Sequence, residues 1–403
     1  MVKMKKVMIA FAMAVTCLCT SNVFASPQQE IYLEIGSEIH DYLKTKFEDR
    51  FVELDSAAGK RLVKTDMDAL PWISMLVHRE FKQCGGYFTF FTEKEAREQF
   101  RMRNQEFFYE SVDEALYKLN QPKLVKQLIT GVQEAPLRDV ITKLSSFHNR
   151  YYNAQTGVDS QNYIKNHWED ILRTRSDAKV EFFEHSRWMQ PSVIASIQGS
   201  TAPDEYIVIG GHADSIAGFW GRSSVRAPGA DDNASGIATI TEIMRVLVEN
   251  NFQPQRTVLF MAYAAEEVGL LGSKEIAQKF KKDGKSVVGV IQLDMTNFNG
   301  SKEDIVLISD NTNSGQNQFM GKLLDTYLPG LSWTNDQCGY ACSDHASWNA
   351  QGFPVSAPFE AKKRNMNRNI HTKNDTIAKS GGTADHAVKF AKLTLAFIAE
   401  LDH

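Results

Sequence analysis

The sequence predicts an α/β fold with a mixed, largely parallel central sheet flanked by helices. From about residue 122 onward, strand-like segments such as KVEFFEH and EYIVIGGH alternate with amphipathic helical segments such as SQNYIKNHWEDILRT. The runs TVLFMAYAA, VVGVIQLD and DIVLISD are almost continuously apolar, which is typical of strands covered by helices on both faces. A chain of 403 residues is also too long for one typical domain, so we expect a second, smaller unit.

The predicted elements follow one another in a simple order. Two helical segments, LRDVITKLSSFHNRYY and SQNYIKNHWEDILRT, precede the strands KVEFFEH, SVIASIQG and EYIVIGGH. The segment SGIATITEIMRVLVENN comes next, and its apolar residues recur at spacings of three and four. That spacing places them on one face of a helix, which we predict to pack on the sheet: Ile237, Ile240, Met244, Leu247 and Val248.

Residues 1–25 have the pattern of a secretory signal peptide. Lysines at positions 3, 5 and 6 precede a short apolar stretch, which ends with Val23-Phe24-Ala25 before Ser26. A transmembrane anchor is the alternative, but the stretch is short for a membrane span. A lipid-modified Cys17 or Cys19 is disfavoured because the preceding residues 14–16 are a poor lipid-attachment motif. We therefore expect cleavage after Ala25 and a secreted protein.

Composition excludes charge-driven partners. Hydrophobic residues make up 43% of the chain, charged residues 23%, and the formal net charge is only −4. Such values are ordinary for a globular protein and indicate neither nucleic acid nor, once the signal peptide is removed, a membrane surface as a partner. Small neutral or mildly charged substrates remain possible.

Polar side chains interrupt the apolar pattern where predicted strands end. His212 and Asp214 follow YIVIGG, Glu266 and Glu267 follow VLFMAYAA, and Asp294 follows VVGVIQL. Ligands bind outside the carboxyl ends of strands in open α/β sheets, so these residues are predicted to converge in one crevice. Adjacent residues that leave a strand point in different directions, which allows Glu266 and Glu267 to have different tasks.

The polar set predicts a metal centre. Asp231 and Asp232, in PGADDNASG, precede the long helix and either could merely cap it. Together with His212, Asp294 and His371, however, they would concentrate negative charge that is costly without a cation. Nitrogen and oxygen ligands without thiolate suit zinc or a similar divalent ion, and the excess of carboxylates suits two ions that share one carboxylate.

Several motifs occur in the order found in one enzyme family. GGHADS, PGADDNASG, AYAAEEVGLLGS, LDMTN, CGYACSDHASW and NIHTKND resemble the secreted bacterial di-zinc leucyl aminopeptidases of the M28 peptidase family. The resemblance covers residues 122–403 and implies a zinc-peptidase-like fold, two Zn²⁺ ions, a monomer, and peptide substrates with a free N-terminus. It also implies that residues 26–121 are a propeptide, although a permanent accessory domain is the alternative. Those residues contain no cluster of His, Cys or carboxylates at ligand spacing.

The same resemblance assigns roles to individual residues. Asp232 would bridge the two ions. One ion would be completed by Glu267 and His371, and the other by His212 and Asp294. Glu266 would be the general base, Asp214 would hold the free nitrogen of His212, and Tyr340 would donate a hydrogen bond to the oxyanion. Asp344 and His345 could be ligands by type, but the family pattern does not use them, so a structural role is favoured.

Two features near Tyr340 concern the shape of the site. Cys338 and Cys342 could coordinate a metal by their spacing. A disulfide that shapes the Tyr340 loop is favoured, because the chain is expected to be exported and has no second cysteine pair nearby. Cys84 is then left without an assigned partner. In the family resemblance, Phe359 matches an aromatic wall of the substrate pocket.

Two other pocket positions depart from the family. Lys363 and Met366 stand where the family has aromatic residues, and Met295 and Ile370 complete the predicted pocket. We expect N-terminal Met, Leu or Phe to be accepted, because methionine is adaptable. Lys and Arg should be disfavoured if Lys363 faces in; alternatively Lys363 turns outward and contributes only its methylene stem.

Other functions on the same scaffold remain alternatives. A di-metal carboxypeptidase or N-acyl amino-acid deacylase would have similar ligands, but the stretch CGYACSDHASW argues for the aminopeptidase branch. A glutaminyl cyclase would share the fold and use one zinc ion. A non-catalytic receptor-like domain would be expected to have lost ligands, whereas all five and Glu266 are intact.

Overall fold

The computed structural model describes residues 29–47, 50–81, 83, 86–103, 117–218 and 222–402. The predicted signal peptide and Cys84 lie outside the described residues. These described residues form two sheets, one within residues 29–103, here called the N-terminal unit, and one within residues 117–402, here called the large unit. No helix among the described residues has the length and apolar character needed to cross a membrane.

The N-terminal unit is built on a four-stranded antiparallel sheet in the order β2-β3-β1-β4. Its strands are β1 Glu30–Gly36, β2 Val52–Ala57, β3 Lys60–Asp66 and β4 Tyr87–Phe90, and its helices are α1 Ser37–Lys44, α2 Leu70–Leu76 and α3 Glu93–Arg103. The sequence analysis did not predict this sheet. Strand β2 shows why. Its residues VELDSA have no apolar run or regular alternation that would mark a buried strand, and in the structure most of them are exposed.

The large unit contains an eight-stranded mixed sheet in the order β11-β10-β12-β9-β7-β8-β6-β5. Strand β7 lies at its centre and pairs in parallel with both β8 and β9, while β6 and β5 form an antiparallel edge. The predicted fold class is confirmed. The strands are β5 Ala178–Phe183, β6 Ser192–Ile197, β7 Ala202–His212, β8 Arg256–Tyr263, β9 Ser286–Gln292, β10 Ile305–Ile308, β11 Trp333–Asp336 and β12 Val355–Phe359.

Helices cover both faces of this sheet. Ile207 and Ile209 of β7 pack into the larger core with residues of α7 and α11, whereas the intervening Val208 packs on the opposite face with residues of α8 and α10. This alternation explains the continuous apolar runs of the central strands. The helices are α4 Pro122–Thr130, α5 Glu134–Ser146, α6 Gln155–Leu172, α7 Gly236–Glu249, α8 Leu271–Lys282, α9 Ser314–Tyr327, α10 His345–Asn349 and α11 Asp385–Leu401.

The N-terminal unit packs directly on the loop that joins β8 to α8. Leu70 and Ile73 share a buried apolar cluster with Val268 and Leu271 of the large unit. At the edge of the same interface, Lys274 lies 3.1 Å from the carboxylate of Glu95. The loop between β8 and α8 carries Glu266 and Glu267, so the N-terminal unit lies next to the predicted site.

Candidate metal centre

The sheet brings the predicted ligands to one edge. Strand β7 ends at His212, and its parallel neighbours β8 and β9 end just before the loops that carry Glu266, Glu267 and Asp294. Because carboxyl ends of parallel strands meet at the same edge, the loops that follow them converge there. Asp232 reaches this edge from the turn before α7, and His371 reaches it from the loop after β12.

Two groups of potential ligands lie side by side. In the first, Nε2 of His212 is 3.1 Å from Oδ1 of Asp232 and 3.3 Å from Oδ1 of Asp294. In the second, Nε2 of His371 is 3.1 Å from Oδ2 of Asp232 and 2.7 Å from Oε2 of Glu267. Within each group the donor atoms all lie within 4.8 Å of one another. All five predicted ligands are therefore assembled.

Asp232 belongs to both groups and presents a different oxygen to each. Its Oδ1 faces His212, whereas its Oδ2 faces His371. The peptide bond between Asp232 and Asn233 is cis. One carboxylate that offers each of its oxygens to a separate nitrogen–oxygen group is the arrangement required to share a ligand between two cations.

The donor atoms are spaced as ligands around a cation are, and several of them lack hydrogen-bond partners among the described residues. Ligand atoms about 2.0–2.1 Å from a tetrahedral zinc ion lie roughly 3.3 Å apart, which is close to most of the observed separations. Nε2 of His212, Oδ1 of Asp294 and Nε2 of His371 are buried atoms to which no described residue gives a hydrogen bond of acceptable geometry. A divalent ion at each group would satisfy these atoms.

The electrostatics of the cluster lead to the same conclusion. Burial opposes the charged form of both histidines, yet the facing carboxylates raise the pKa of His371 to about 10 and the pKa of His212 well above its ordinary value. Burial raises the pKa of Glu267 to about 7, although His371 opposes that shift. Without a cation the cluster has to hold protons to reduce its negative charge, so cation binding and proton release are coupled.

Glu266 lies beside the first group without belonging to it. Its Oε2 is 3.9 Å from Nε2 of His212, and its side chain lines the pocket that opens onto Asp232 and Asp294. Burial raises the pKa of Glu266 well above its ordinary value, and His212 opposes this effect. The structure thus separates the paired glutamates, because Glu267 points to His371 and Glu266 points to the pocket.

Asp214 makes contacts that the sequence analysis only partly predicted. Nδ1 of His212 is 3.2 Å from the backbone carbonyl oxygen of Asp214 and 3.5 Å from its carboxylate. The carboxylate itself accepts hydrogen bonds from the backbone N–H groups of Glu266 at 3.0 Å and Glu267 at 3.2 Å. Asp214 therefore orients His212 and also fixes the backbone of both glutamates.

Asp231 and Asp232 do not cap the following helix. The capping contact comes from Asn233, whose Oδ1 accepts a hydrogen bond from the N–H of Gly236 at 2.9 Å. Asp231 is buried, and its carboxylate accepts hydrogen bonds from the backbone N–H of Asn297 and the side chain of Asn367. Tertiary contacts thus replace the local capping role that the sequence alone suggests.

Two residues that position the ligand loops were missed. The carboxylate of Asp375 accepts hydrogen bonds from the backbone N–H groups of Asp231 at 3.2 Å and Asp232 at 3.1 Å. The buried Arg150 donates to the carbonyl of Ala213, next to His212, and to the carbonyl of Gly229, close to Asp232. Asp375 stands in the quoted motif NIHTKND, whereas nothing in the sequence around Arg150 distinguishes it from a surface arginine.

The residues predicted to line the substrate pocket do so, except for Ile370. Met295, Phe359 and Met366 line a pocket together with Ile308 and Ala357, and the carboxylates of Asp232, Glu266 and Asp294 lie on its surface. Ile370 packs in the same apolar cluster as Met295 and Met366, but it is buried behind the pocket surface. It therefore supports the wall and does not line it.

Lys363 lies where the pocket meets an outer cleft. Its side chain lines the same cavity as Met366, and its ammonium group donates a hydrogen bond to the hydroxyl of Tyr340. The ammonium also lies 4.7 Å from the centre of the Tyr340 ring. Lys363 also lines the outer cleft that contains the Tyr340 side chain, so its ammonium lies at the border of the two spaces, between the two orientations considered from the sequence.

A disulfide links Cys338 to Cys342, with their Cα atoms 6.2 Å apart, as predicted. Both cysteines line the pocket, and the loop between them carries Tyr340, whose backbone carbonyl accepts a hydrogen bond from Asn311. The Tyr340 side chain lies in the outer cleft beyond the pocket, beside Phe81 and Gln83 of the N-terminal unit. The Tyr340 hydroxyl accepts a hydrogen bond from the ammonium of Lys363.

Asp344 and His345 lie outside both ligand groups. A carboxylate oxygen of Asp344 accepts a hydrogen bond from Gln292 at 3.1 Å, and burial raises the pKa of Asp344 to about 7. Burial likewise lowers the pKa of His345 to about 4, so that this imidazole is neutral. These contacts support the structural role favoured for the two residues.

Comparison with known proteins agrees with this geometry. The sequence model of peptidase family M28 matches residues 192–396, which include all five predicted ligands. The chain belongs to this family. A leucine aminopeptidase 1 from the fungus Arthroderma otae is 33% identical over 366 residues, which cover 87% of this chain and 94% of the fungal protein. The prediction of a peptide hydrolase is confirmed.

Solved structures extend the likeness to the N-terminal unit of this M28 protein. LapB from Legionella pneumophila is 28% identical with a TM-score of 0.79, and the LapA aminopeptidase of the same organism is 25% identical with a TM-score of 0.81. Each match covers 93% of this chain and 99% of the solved chain. The large unit alone is too short to account for such coverage, so both solved chains include a counterpart of the N-terminal unit.

Proposed function

We propose that the protein is a secreted aminopeptidase that uses two zinc ions and a glutamate base to remove apolar N-terminal residues from peptides. The observation that carries the proposal is the pair of ligand groups joined through Asp232, with the buried carboxylate of Glu266 beside them. His212 and Asp294 would hold one ion, and Glu267 and His371 the other. Zinc bound there would polarise the scissile carbonyl and lower the pKa of the attacking water.

The residues of the chain supply the remaining chemistry. Glu266 is placed to accept a proton from the attacking water and to return it to the leaving amine. Its raised pKa, caused by burial, brings the carboxylate closer to the basicity that a general base needs near neutral pH. Asp214 keeps Glu266 in position through the backbone N–H of that residue.

The shape and charge of the pocket support cleavage at a free N-terminus. Met295, Phe359 and Met366 offer an apolar wall for one side chain, and the pocket is lined by the carboxylates of Asp232, Glu266 and Asp294. Of these, Glu266 is not a proposed zinc ligand, so its carboxylate remains available to attract a protonated α-amine. An acylated N-terminus would lose this attraction, which separates the proposal from an N-acyl amino-acid deacylase.

Contacts between the N-terminal unit and the metal-binding residues support the proposal that the chain is a zymogen. Its Ser74 hydroxyl donates a hydrogen bond to the backbone carbonyl of Glu267, and its His78 ring lies 4.2 Å from the His371 ring. We propose that residues 26–121 are a propeptide that restrains activity, through these contacts of its described residues, and is removed on maturation. We also propose that residues 1–25 direct export and that the mature enzyme is a monomer.

Hydrolysis of leucine p-nitroanilide compared with its N-acetylated analogue tests the function. The zinc-loaded enzyme should cleave the free-amine substrate and leave the acetylated one essentially intact. The Glu266→Gln variant should cleave neither, which excludes a contaminating peptidase. Faster cleavage of the acetylated substrate would indicate a deacylase, and cleavage of neither by the wild type would overturn the proposal.

A further inference from the structure

Lys363 is the one cationic side chain among the residues that line the described substrate pocket. The wall around it is otherwise formed mainly by apolar groups, including Met295, Ile308, Phe359 and Met366. The three carboxylates of the pocket, at Asp232, Glu266 and Asp294, belong to the metal centre or lie beside it. Lys363 is half-buried and lines both this pocket and the outer cleft that contains Tyr340, so its charge lies at the border between them.

The ammonium group of Lys363 has no carboxylate partner among the described residues. It donates to the Tyr340 hydroxyl and lies over the Tyr340 ring, which are contacts to neutral groups. The neighbouring Lys362 is different, because its ammonium lies 3.1 Å from a carboxylate oxygen of Glu303. An ammonium has three N–H donors, so Lys363 retains donors for a further acceptor.

The backbone holds Lys363 in this orientation. Its N–H donates to a carboxylate oxygen of Asp336 at 2.9 Å, and its carbonyl accepts a hydrogen bond from the guanidinium of Arg368 at 3.3 Å. Both contacts hold the residue from outside the pocket. These contacts hold the backbone, and the hydrogen bond to Tyr340 keeps the ammonium at the pocket entrance, where neither Asp336 nor Arg368 neutralises it.

We propose that Lys363 determines specificity by accepting the carboxylate of an acidic N-terminal side chain, such as that of glutamate. A glutamate side chain would place its methylene groups against the apolar wall and its carboxylate against the ammonium. The same charge disfavours N-terminal lysine and arginine by like-charge repulsion. This inference rests on the proposed aminopeptidase function and deepens it, since it adds a charged substrate class to the apolar one.

The test compares glutamyl and glutaminyl p-nitroanilides, which differ in charge and hardly at all in shape. In the zinc-loaded enzyme, kcat/KM for the glutamyl substrate should equal or exceed that for the glutaminyl substrate. Lys363→Met should lower this ratio by about 10- to 100-fold, as expected for loss of a hydrogen bond between charged groups. Lys363→Arg should preserve most of the ratio, and Lys363→Glu should improve cleavage of the lysyl substrate relative to the wild type.

Lys362→Met is the matched control, because it removes a neighbouring positive charge that Glu303 already neutralises. It should leave the glutamyl-to-glutaminyl ratio unchanged. The inference is overturned if Lys363→Met leaves the ratio unchanged, or if Lys362→Met lowers it equally, which would indicate a general surface potential. Zinc content and thermal unfolding of each variant identify any folding failure.

A binding measurement separates specificity from turnover. Calorimetric titration of the Glu266→Gln variant with Glu-Ala and Gln-Ala dipeptides reports affinity without hydrolysis, and adding Lys363→Met should remove the preference for Glu-Ala. Equal loss of affinity for both dipeptides would contradict the inference. Failure of the proposed function has a different signature, since the wild type would then not cleave even the leucyl substrate.

Discussion

The carboxylate of Asp214 accepts a hydrogen bond at 3.0 Å from the backbone N–H of Glu266. Its other oxygen accepts from the N–H of Glu267 at 3.2 Å, and its own backbone carbonyl lies 3.2 Å from Nδ1 of His212. One residue between β7 and the turn that follows thus fixes a proposed base and two proposed ligands. Small displacements of such groups are costly because catalysis depends on their relative geometry.

Asp214→Asn is therefore expected to impair both catalysis and metal binding. The amide can accept at its oxygen, but its NH₂ group cannot accept the second backbone N–H, so one buried donor loses its partner. We expect a loss of about 10- to 100-fold in kcat or zinc affinity, which is typical of residues that orient ligands. The measurements are kcat on leucine p-nitroanilide and zinc retention against a chelator.

Asp402→Asn is the matched control for this experiment. The carboxylate of Asp402 also accepts from two successive backbone N–H groups, those of Gln255 and Arg256, but at the opposite end of β8 from the site. Its replacement should cost stability of about 1–3 kcal/mol, as a lost buried hydrogen bond does, while leaving zinc retention unchanged. If Asp214→Asn lowers stability but leaves kcat and zinc retention unchanged, as expected for Asp402→Asn, the proposed positioning role of Asp214 is wrong.

Glu266→Gln is predicted to abolish most of the activity while leaving the fold and the zinc content intact. The amide has nearly the same shape but cannot accept the proton, and loss of a general base typically costs about 10²- to 10⁴-fold in rate. Single-turnover kinetics and metal analysis on the same sample measure the two properties together. A loss of less than about tenfold would mean that another residue is the base.

Glu267→Gln is predicted to weaken zinc binding itself. The Oε2 atom of Glu267 lies 2.7 Å from Nε2 of His371, so the substitution removes an anionic donor from the second ligand group. The measurement is the zinc content of the protein after dialysis at increasing chelator concentration. Glu266→Gln is the control, because it makes the same replacement of a carboxylate by an amide at a residue that is not a proposed ligand. Unchanged retention in Glu267→Gln would contradict the assignment of Glu267 as a ligand.

Removal of the N-terminal unit is predicted to raise activity, and weakening its contact should do so in part. Thr89 donates a hydrogen bond at 2.7 Å to the backbone carbonyl of Gly269, in the loop that carries the paired glutamates. Thr89→Val removes this contact, so the 26–403 chain should become more active and be processed faster. Activity assays combined with mass spectrometry follow both changes.

Thr45→Val is the control, because the Thr45 hydroxyl donates only to the carbonyl of Tyr42 within the N-terminal unit. It should change neither activity nor processing. The prediction fails if the intact 26–403 chain is the most active form. That outcome would favour the alternative of a permanent accessory domain.

The sequence predicted the large sheet and the ligand set because both leave local signals. His212 and Asp294 stand directly after long apolar runs, and such runs identify buried strands without further information. The topology rule for ligand sites then brings the loops together. The separation of Glu266 from Glu267 also followed from their adjacency at a strand end.

Other features depend on contacts between distant residues and leave no local pattern. Asp214 was expected to serve His212, but its backbone partners lie more than 50 residues away in sequence. Arg150 joins two loops through their carbonyl oxygens, which any sequence offers. The hydrogen bond from Lys363 to Tyr340 joins residues 23 apart in sequence, and the exposed β2 strand gave no signal of the N-terminal sheet.

The most direct test of the central claim is the number of metal ions in the active enzyme, measured by anomalous scattering at the zinc edge on crystals whose activity per chain is known. Two peaks are predicted, one contacted by His212 and Asp294 and the other by Glu267 and His371, with an oxygen of Asp232 directed at each. A single peak in fully active protein would contradict the account, because Asp232 would then bridge nothing and one of the two ligand groups would have no ion to hold.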